Sequence, residues 1–162
     1  MVLDPIDFID RVEFRDAALL SFVTSAIIVP AYDTVKRETG ITRAEYLLLL
    51  CLSHYPALTA QDVSRLTGRP RNSISRAVHR MLAVGHLSRQ QDPSDARQAQ
   101  LTITPTGRAL HEQIAETLRL AQEDVLSALT AAERETVVGL LRKVVAGQDP
   151  DAALDPSLDR AL

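Results

Sequence analysis

The residues with the clearest chemical purpose form a basic segment between positions 63 and 91. This segment contains six arginines and neither aspartate nor glutamate. The whole chain carries a formal charge of −3, so the residues outside the segment sum to −9 and the positive charge is concentrated here. A surface of this kind is suited to binding a polyanion such as double-stranded DNA. The alternative is a solvated basic helix without a ligand.

Within this segment, residues 70–84 predict an amphipathic helix, with Pro70 in its first turn and Gly85 as its C-terminal stop. Apolar side chains recur at helical spacing on one face: Ile74, Ala77, Val78, Met81 and Leu82. The opposite face of a helical wheel carries Asn72, Ser75, Arg76 and His79. We expect the first face to pack and the second to contact bases. Three further arginines of the segment are candidate DNA contacts: Arg69, Arg71 and Arg80.

Two capping signals precede this helix. Thr42 and Glu45 have the spacing of a capping box and predict a helix over residues 43–53. Thr59 and Asp62 repeat the device and predict a short helix that ends near Gly68. A short helix, a glycine-containing turn and a second helix rich in arginine have the spacing of a helix-turn-helix.

The residues after Gly85 predict a two-stranded wing. Residues 86–90 and 98–103 are candidate strands, with turn-forming residues between them. Arg97 is placed near the tip, where it could enter a minor groove, because narrow A·T-rich tracts attract arginine. An ordinary hairpin, in which Arg97 only pairs with Asp95, is the alternative.

Apolar stripes at both ends of the chain predict a homodimer. Residues 5–38 read as one long helix with a kink or break near Pro30, and a helix of about 24 residues starts at Pro105. A last amphipathic helix is opened by the capping box of Thr130 and Glu133. Burial against a second subunit is the simplest use of these stripes, and packing within the chain is the alternative.

Together these elements predict a mostly α-helical protein, a winged helix-turn-helix with a small two-stranded wing and long N- and C-terminal dimerisation helices. The predicted divisions are an N-terminal dimerisation helix, a DNA-binding domain, C-terminal dimerisation helices and a tail, at residues 1–38, 39–104, 105–147 and 148–162.

The composition excludes several other classes of protein. Aromatic residues make up 4% and tryptophan is missing, which argues against recognition of single strands or RNA by stacking.

The single cysteine, Cys51, rules out an internal disulfide and suits a reducing cytoplasm. It lies in an apolar run, so we expect it to be buried and structural. The apolar stretch at residues 17–31 is shorter than the roughly 20 residues that a bilayer span needs, so no membrane segment is expected. No catalytic constellation, metal site or cofactor motif is recognisable, so an enzyme is not expected.

The order of these motifs resembles that of the MarR family of winged helix-turn-helix transcriptional regulators. The matching motifs are Thr42-Arg43-Ala44-Glu45-Tyr46, LTGRPRNSISRAVHRM, Gly85-His86-Leu87-Ser88-Arg89, Asp92-Pro93-Ser94-Asp95-Ala96-Arg97 and Leu101-Thr102-Ile103-Thr104-Pro105-Thr106-Gly107-Arg108. The resemblance implies a homodimer whose recognition helices enter successive major grooves of a pseudo-palindromic operator, with each wing along a minor groove. It assigns DNA contacts to Arg71, Asn72, Ser73, Ser75, Arg76, Arg89, Asp95 and Arg97.

We therefore expect a sequence-specific DNA-binding regulator, and specifically a repressor that responds to a small aromatic or carboxylate-bearing effector. The expected effector site lies between the DNA-binding domain and the dimer helices. Its candidate residues, for which dimer packing or a surface role is the alternative, are Phe14, Arg15, Phe22, Tyr32 and Tyr46. A winged-helix module that binds protein is the alternative function, although it would not need a surface free of carboxylates.

Overall fold

The computed structural model describes residues 4–91 and 99–148, without the side chain of Gln91. Helices dominate and the described strands form one two-stranded sheet, as predicted. The elements are α1 Pro5–Ile9, α2 Arg15–Thr39, α3 Arg43–His54, α4 Ala60–Thr67, α5 Arg71–Ala83, β1 Leu87–Gln91, β2 Ala99–Ile103, α6 Pro105–Leu126 and α7 Ala131–Ala146. Residues 149–162, which make up most of the predicted tail, lie outside the described residues.

The N-terminal region differs from the single long helix that the sequence predicted. Helix α1 ends at Ile9, and α2 begins only at Arg15. The break covers residues 10–14 and includes the apolar position Val12, after which the next apolar position of the predicted stripe is Leu19. Ile9 is buried, whereas its neighbour Phe8 is exposed. The expected break near Pro30 does not occur, because α2 runs through that residue.

The main hydrophobic core is formed where α3, α4 and α5 meet the sheet and α6. Helix α3 contributes Leu48, Leu49 and Leu52, all almost completely buried. Its partners in the cluster, from α4, α5, the two strands and α6, are Val63, Ile74, Met81, Leu87, Leu101 and Ile114. Each buried leucine or isoleucine side chain contributes roughly 1.5–3 kcal/mol, so this cluster fixes α5 against its neighbours.

The three predicted capping boxes are confirmed. The Thr42 hydroxyl accepts from the Glu45 N–H, and a Glu45 carboxylate oxygen accepts from the Thr42 N–H at 2.7 Å. Equivalent reciprocal bonds start α4 at Thr59 and α7 at Thr130. These short-range bonds set where the helices begin.

The wing is an antiparallel pair in which Leu87 lies opposite Ile103 and Arg89 lies opposite Leu101. Leu58, just before α4, exchanges two backbone hydrogen bonds with Leu101, at 3.1 and 2.9 Å. The wing is thereby tied to the start of the helix-turn-helix. The predicted tip residues Asp95 and Arg97 lie outside the described residues.

The terminal helices leave much of their apolar surface exposed. Helix α7 has no buried residue, and α2 buries only Ala31 and Val35. Helix α2 has 25 residues and is long and apolar enough to cross a membrane by length and composition alone. The expectation that this segment is too short for a bilayer span is therefore not upheld.

Candidate nucleic-acid interface

Helix α5 has one packed face and one exposed face, as the sequence predicted. Ile74, Ala77, Val78 and Met81 are buried, and Leu82 is half-buried against the same cluster. The opposite face exposes the polar and basic side chains of Arg71, Asn72, Ser75, Arg76 and His79, whereas Ser73 at the flank is half-buried. The helix therefore presents hydrogen-bond donors and positive charge to the outside while its other face is held by the core.

The turn before α5 is fixed by local bonds. Gly68 ends α4 with a positive φ of 63°, a conformation that favours glycine. The buried hydroxyl of Ser64 donates to the carbonyl of Arg69 at 2.6 Å, which holds the turn against α4. Pro70 is the N-cap of α5 and not its first helical residue, since its carbonyl accepts from the N–H groups of Ser73 and Ile74. These contacts set the angle at which α5 leaves the turn.

A concave surface lies beside the exposed face of α5. Its volume is about 360 Å³, and its lining comes from the start of α4, from α5 and from both strands. Three predicted DNA-contacting residues share it, Ser75 and His79 from α5 and Arg89 from β1. Gln61, in the first turn of α4, is also exposed here and was not predicted. Its position two residues after the capping residue Thr59 was the available signal, because free N–H groups at a helix start attract anions.

Arg80 behaves differently from the other arginines of α5. Its guanidinium forms an ion pair with Glu45 at 3.0 Å and donates to the carbonyl of Gly40 at 3.1 Å. Its side chain nevertheless remains 51% exposed. Arg69 is half-buried in the turn, and burial together with the charge of Arg43 lowers its pKa.

The structure brings together only part of the predicted effector site. The rings of Tyr32 and Tyr46 meet edge to face with centroids 6.1 Å apart, and the Arg43 guanidinium lies 5.8 Å from the centre of the Tyr32 ring. Phe14 and Arg15 instead line a separate depression at the turn between α1 and α2. Phe22 is exposed on α2.

Two histidines extend the tyrosine pair and were not predicted. The ring of His111, on α6, stacks on Tyr46 with centroids 5.7 Å apart, and His54 meets His111 edge to face at 6.3 Å. Burial raises the pKa of Tyr46 to about 12, so its hydroxyl stays protonated. His111 directly follows Leu110, which belongs to the apolar stripe of α6. This position in the sequence could have indicated that His111 lies against the packed side of the helix.

Cys51 is buried, as predicted, and burial raises the pKa of its thiol. A protonated, inaccessible thiol is a poor nucleophile and a poor metal ligand. Among the described residues, no group of three or more histidine, cysteine, aspartate or glutamate side chains could hold a metal ion.

Residues 39–98 match the family model described as MarR family. The resemblance to the MarR family that the sequence predicted is confirmed over this segment. The matched segment runs from the end of α2 to the start of β2 and contains α5 and most of the concave surface beside it. The predicted winged helix-turn-helix architecture is confirmed, because the solved structures that the chain resembles are MarR-family winged-helix proteins.

Among relatives, the HTH-type transcriptional repressor Rv2887 of Mycobacterium tuberculosis is 25% identical over 125 residues, which cover 77% of this chain and 90% of that protein. The solved structure of Bordetella bronchiseptica BpsR is 27% identical, with a TM-score of 0.71, and covers 82% of this chain and 94% of that one. The DNA binding of BpsR is regulated by 6-hydroxynicotinic acid.

A mutant of MarR from Escherichia coli, solved in complex with operator DNA, has a TM-score of 0.69 at 22% identity. The alignment covers 79% of this chain and 91% of that one and, at this identity, shows a shared fold. The segment matched by the family model, the curated relatives and the shared fold together support a transcriptional regulator of the MarR type with a winged-helix fold.

Proposed function

We propose that this regulator binds a pseudo-palindromic operator as a homodimer and represses transcription. In the same proposal, binding of a small aromatic acid releases the protein from the operator. The observation that carries the proposal is the exposed face of α5, which presents Arg71, Asn72, Ser75 and Arg76. The helix contains no aspartate or glutamate, and its opposite face is packed in the core. The name of the relative Rv2887 supports repression as the output. The proposal places the protein in the cytoplasm.

In this proposal the side chains divide into base-reading and phosphate-binding groups. Asn72 and Arg76 contact base edges, because amide and guanidinium groups can make bidentate hydrogen bonds in a major groove. Ser73 lies at the flank of α5 and binds phosphate. Arg89, which lines the concave surface together with His79, also binds phosphate. The proposed wing contacts are Asp95 and Arg97, with the arginine entering the minor groove.

A second copy of the chain is the proposed cover for the exposed apolar surface. On α7 that surface includes Leu140, Leu141 and Val144, and at α2 it includes Phe14 and Phe22. A membrane is a poor alternative because Ala31 and Val35, in the C-terminal half of α2, are buried within this domain. Phe14 and Phe22 are accordingly assigned to the dimer and not to the effector.

The test of DNA binding begins with selection of the full-length protein on a library of random DNA duplexes, followed by mobility shifts at several salt concentrations. Arg76→Ala should cost roughly 1–3 kcal/mol and relax preference at one position of each half-site. Arg89→Ala should weaken all sequences alike and reduce the salt slope. Arg119→Ala on α6 is the control, since this exposed arginine pairs with Glu116 and Glu123 away from α5.

If selection enriches no sequence, or if Arg76→Ala changes neither affinity nor preference, the proposed interface is wrong. Binding that does not weaken with salt would favour a module that binds protein. The dimer is tested separately by sedimentation. Leu141→Glu should give monomers that bind DNA weakly, whereas Gln122→Glu, an exposed change on α6, should leave a dimer. A dimeric Leu141→Glu protein would remove α7 from the interface.

The proposed effector is a small aromatic acid bound where α2, α3 and α6 meet. Tyr32 and Tyr46 supply ring surfaces, and the Arg43 guanidinium beside Tyr32 supplies a cation for the carboxylate. The regulation of BpsR by 6-hydroxynicotinic acid supports this class of ligand. A compound that prefers the DNA-free dimer tenfold would weaken DNA binding by about 1.4 kcal/mol, and DNA must weaken the compound equally.

Calorimetry with a panel of aryl acids, including 6-hydroxynicotinic acid, tests this site with and without the selected operator. Arg43→Gln should reduce binding, whereas Arg15→Gln, which removes the same charge from an arginine beside exposed Asp16, should not. Loss of binding in Arg15→Gln alone would move the site to the turn between α1 and α2. An affinity that operator DNA leaves unchanged would show that the bound acid is not an effector.

A further inference from the structure

Arg80 joins the recognition helix to a distant part of the same chain. Its Nη1 lies 3.0 Å from Oε1 of Glu45 and 3.3 Å from Oε2, and its Nη2 donates to the carbonyl oxygen of Gly40 at 3.1 Å. These partners precede it by 35 and 40 residues. Both ends of the guanidinium are therefore engaged, each with a different structural element.

The two partners mark the junction between α2 and α3. Gly40 ends α2 in the left-handed conformation, with φ of 68°. Glu45 belongs to the first turn of α3 and also accepts from the Thr42 N–H in the capping box. It is only 3% exposed and is the one buried carboxylate among the described residues. Because a buried charge is costly unless it is paired, Glu45 holds its cation firmly.

We propose that Arg80 is a positioning residue, which sets the orientation of α5 relative to the junction between α2 and α3 and does not itself contact DNA. This inference rests on the proposed DNA binding. Helix α2 carries part of the proposed dimer surface and α5 carries the reading face. Arg80 is thus a direct polar link between the element that spaces the two subunits and the element that reads the operator.

A positioning role for Arg80 and direct binding of phosphate by Arg80 predict opposite effects of removing the negative charge of Glu45. If Arg80 binds phosphate, removing the negative charge of Glu45 should leave DNA binding unchanged or tighten it. If Arg80 acts through Glu45, Glu45→Gln should weaken binding even though a negative charge is lost. Glutamine suits the third position of a capping box, so the start of α3 is preserved in this variant.

The experiment measures binding of Arg80→Met, Glu45→Gln, the double variant and Arg80→Lys to the selected operator, each at a temperature where melting shows it folded. Both single variants should bind roughly tenfold more weakly, and the double variant should be no weaker than either one, because the residues act as one unit. The slope of log affinity against log salt should stay unchanged. Arg80→Lys should recover part of the loss.

A second readout separates positioning from a general loss of stability. Operators with one base pair inserted or removed between the half-sites test how rigidly the two recognition helices are spaced. The wild-type dimer should discriminate strongly against them, and Arg80→Met and Glu45→Gln should both discriminate less. Arg119→Met and Glu133→Gln are matched controls, because they change the same charges in an exposed ion pair and in the α7 capping box, and both should bind like the wild type.

Two results together would show that Arg80 contacts phosphate and would overturn the inference. The slope of log affinity against log salt would be smaller by about 0.9 in Arg80→Met than in the wild type, and Glu45→Gln would bind as well as the wild type. Wild-type affinity and spacing preference in both single variants would overturn it too. If the wild-type protein itself selects no DNA, the proposed function fails instead.

Discussion

Replacing Gly107 by alanine should disturb the joint between α6 and the base of the wing. A Cβ atom at this position would overlap the carbonyl oxygen of His86 and lie 3.0 Å from Cγ1 of Ile103. The His86 carbonyl also accepts a hydrogen bond from the Thr104 N–H at 3.1 Å, which closes the wing just before β1 and just after β2. To admit the methyl group, this carbonyl must move away from α6 and strain that bond.

The expected cost follows from these contacts. Overpacking against rigid backbone costs about 1–3 kcal/mol, and loss of one hydrogen bond adds about 1 kcal/mol. The better helix propensity of alanine returns up to about 1 kcal/mol. We therefore expect Gly107→Ala to lose about 2 kcal/mol, or roughly 4–8 °C in melting temperature for a chain of this size. Calorimetry and urea unfolding measure this loss, and mobility shifts should show weaker operator binding.

Gly85→Ala is the matched control. A Cβ added at Gly85 would have no neighbour within 4 Å, but the residue has φ of 75°, so its substitution costs backbone strain without a collision. That variant should lose about 1 kcal/mol and keep the joint between α6 and the wing. A Gly107→Ala protein that melts at or above the wild-type temperature would refute the reasoning, because the close approach of α6 to His86 could not then exist.

Three further predictions concern His111, Cys51 and the N-terminal helices. Burial, together with the charges of His54 and Arg108, lowers the pKa of His111 below its ordinary value of 6.5, so the unfolded chain binds the proton more readily. The free energy of unfolding should be highest above about pH 6.5 and should decrease at lower pH. In urea titrations at several pH values, His111→Gln should make the free energy of unfolding depend less on pH. Cys51 should react with a thiol reagent at least about 100-fold faster in denaturant than in the native protein, and equal rates would contradict its burial. Deletion of residues 1–38 should give an aggregating or monomeric protein without operator binding, and a well-behaved dimer would exclude α2 from the interface.

The sequence predicted those features that depend on bonds between close neighbours. The helices start at Thr42, Thr59 and Thr130 because each hydroxyl caps a helix whose third residue is an acid. Gly68 and Gly85 adopt positive φ where helix ends were expected. The packed face of α5 was readable for the same reason, since its period of 3.6 residues is a local property.

The sequence could not predict features that depend on where distant elements meet. The break between α1 and α2 reflects which apolar residues find a partner, and Ile9 does while Phe8 does not. Tyr32 and Tyr46 were expected near each other, but the ring that stacks on Tyr46 belongs to His111, which lies 65 residues further along the chain. Phe14 was grouped with them only because it shares the N-terminal region with Tyr32.

Arg80 shows why a count of charges overstates the contacts available to DNA. It follows Arg76 by four residues, so helical spacing places the two on neighbouring positions of one face. Yet Arg80 is held by Glu45, because a carboxylate buried in the first turn of α3 must have a partner. The signal for its role therefore lies in the burial of the acid and not in the spacing of the arginines. An arginine held by a carboxylate in this way does not neutralise a DNA phosphate. The measured slope of log affinity against log salt should therefore be smaller, by about 0.9 for each such arginine, than the slope expected if every arginine bound phosphate.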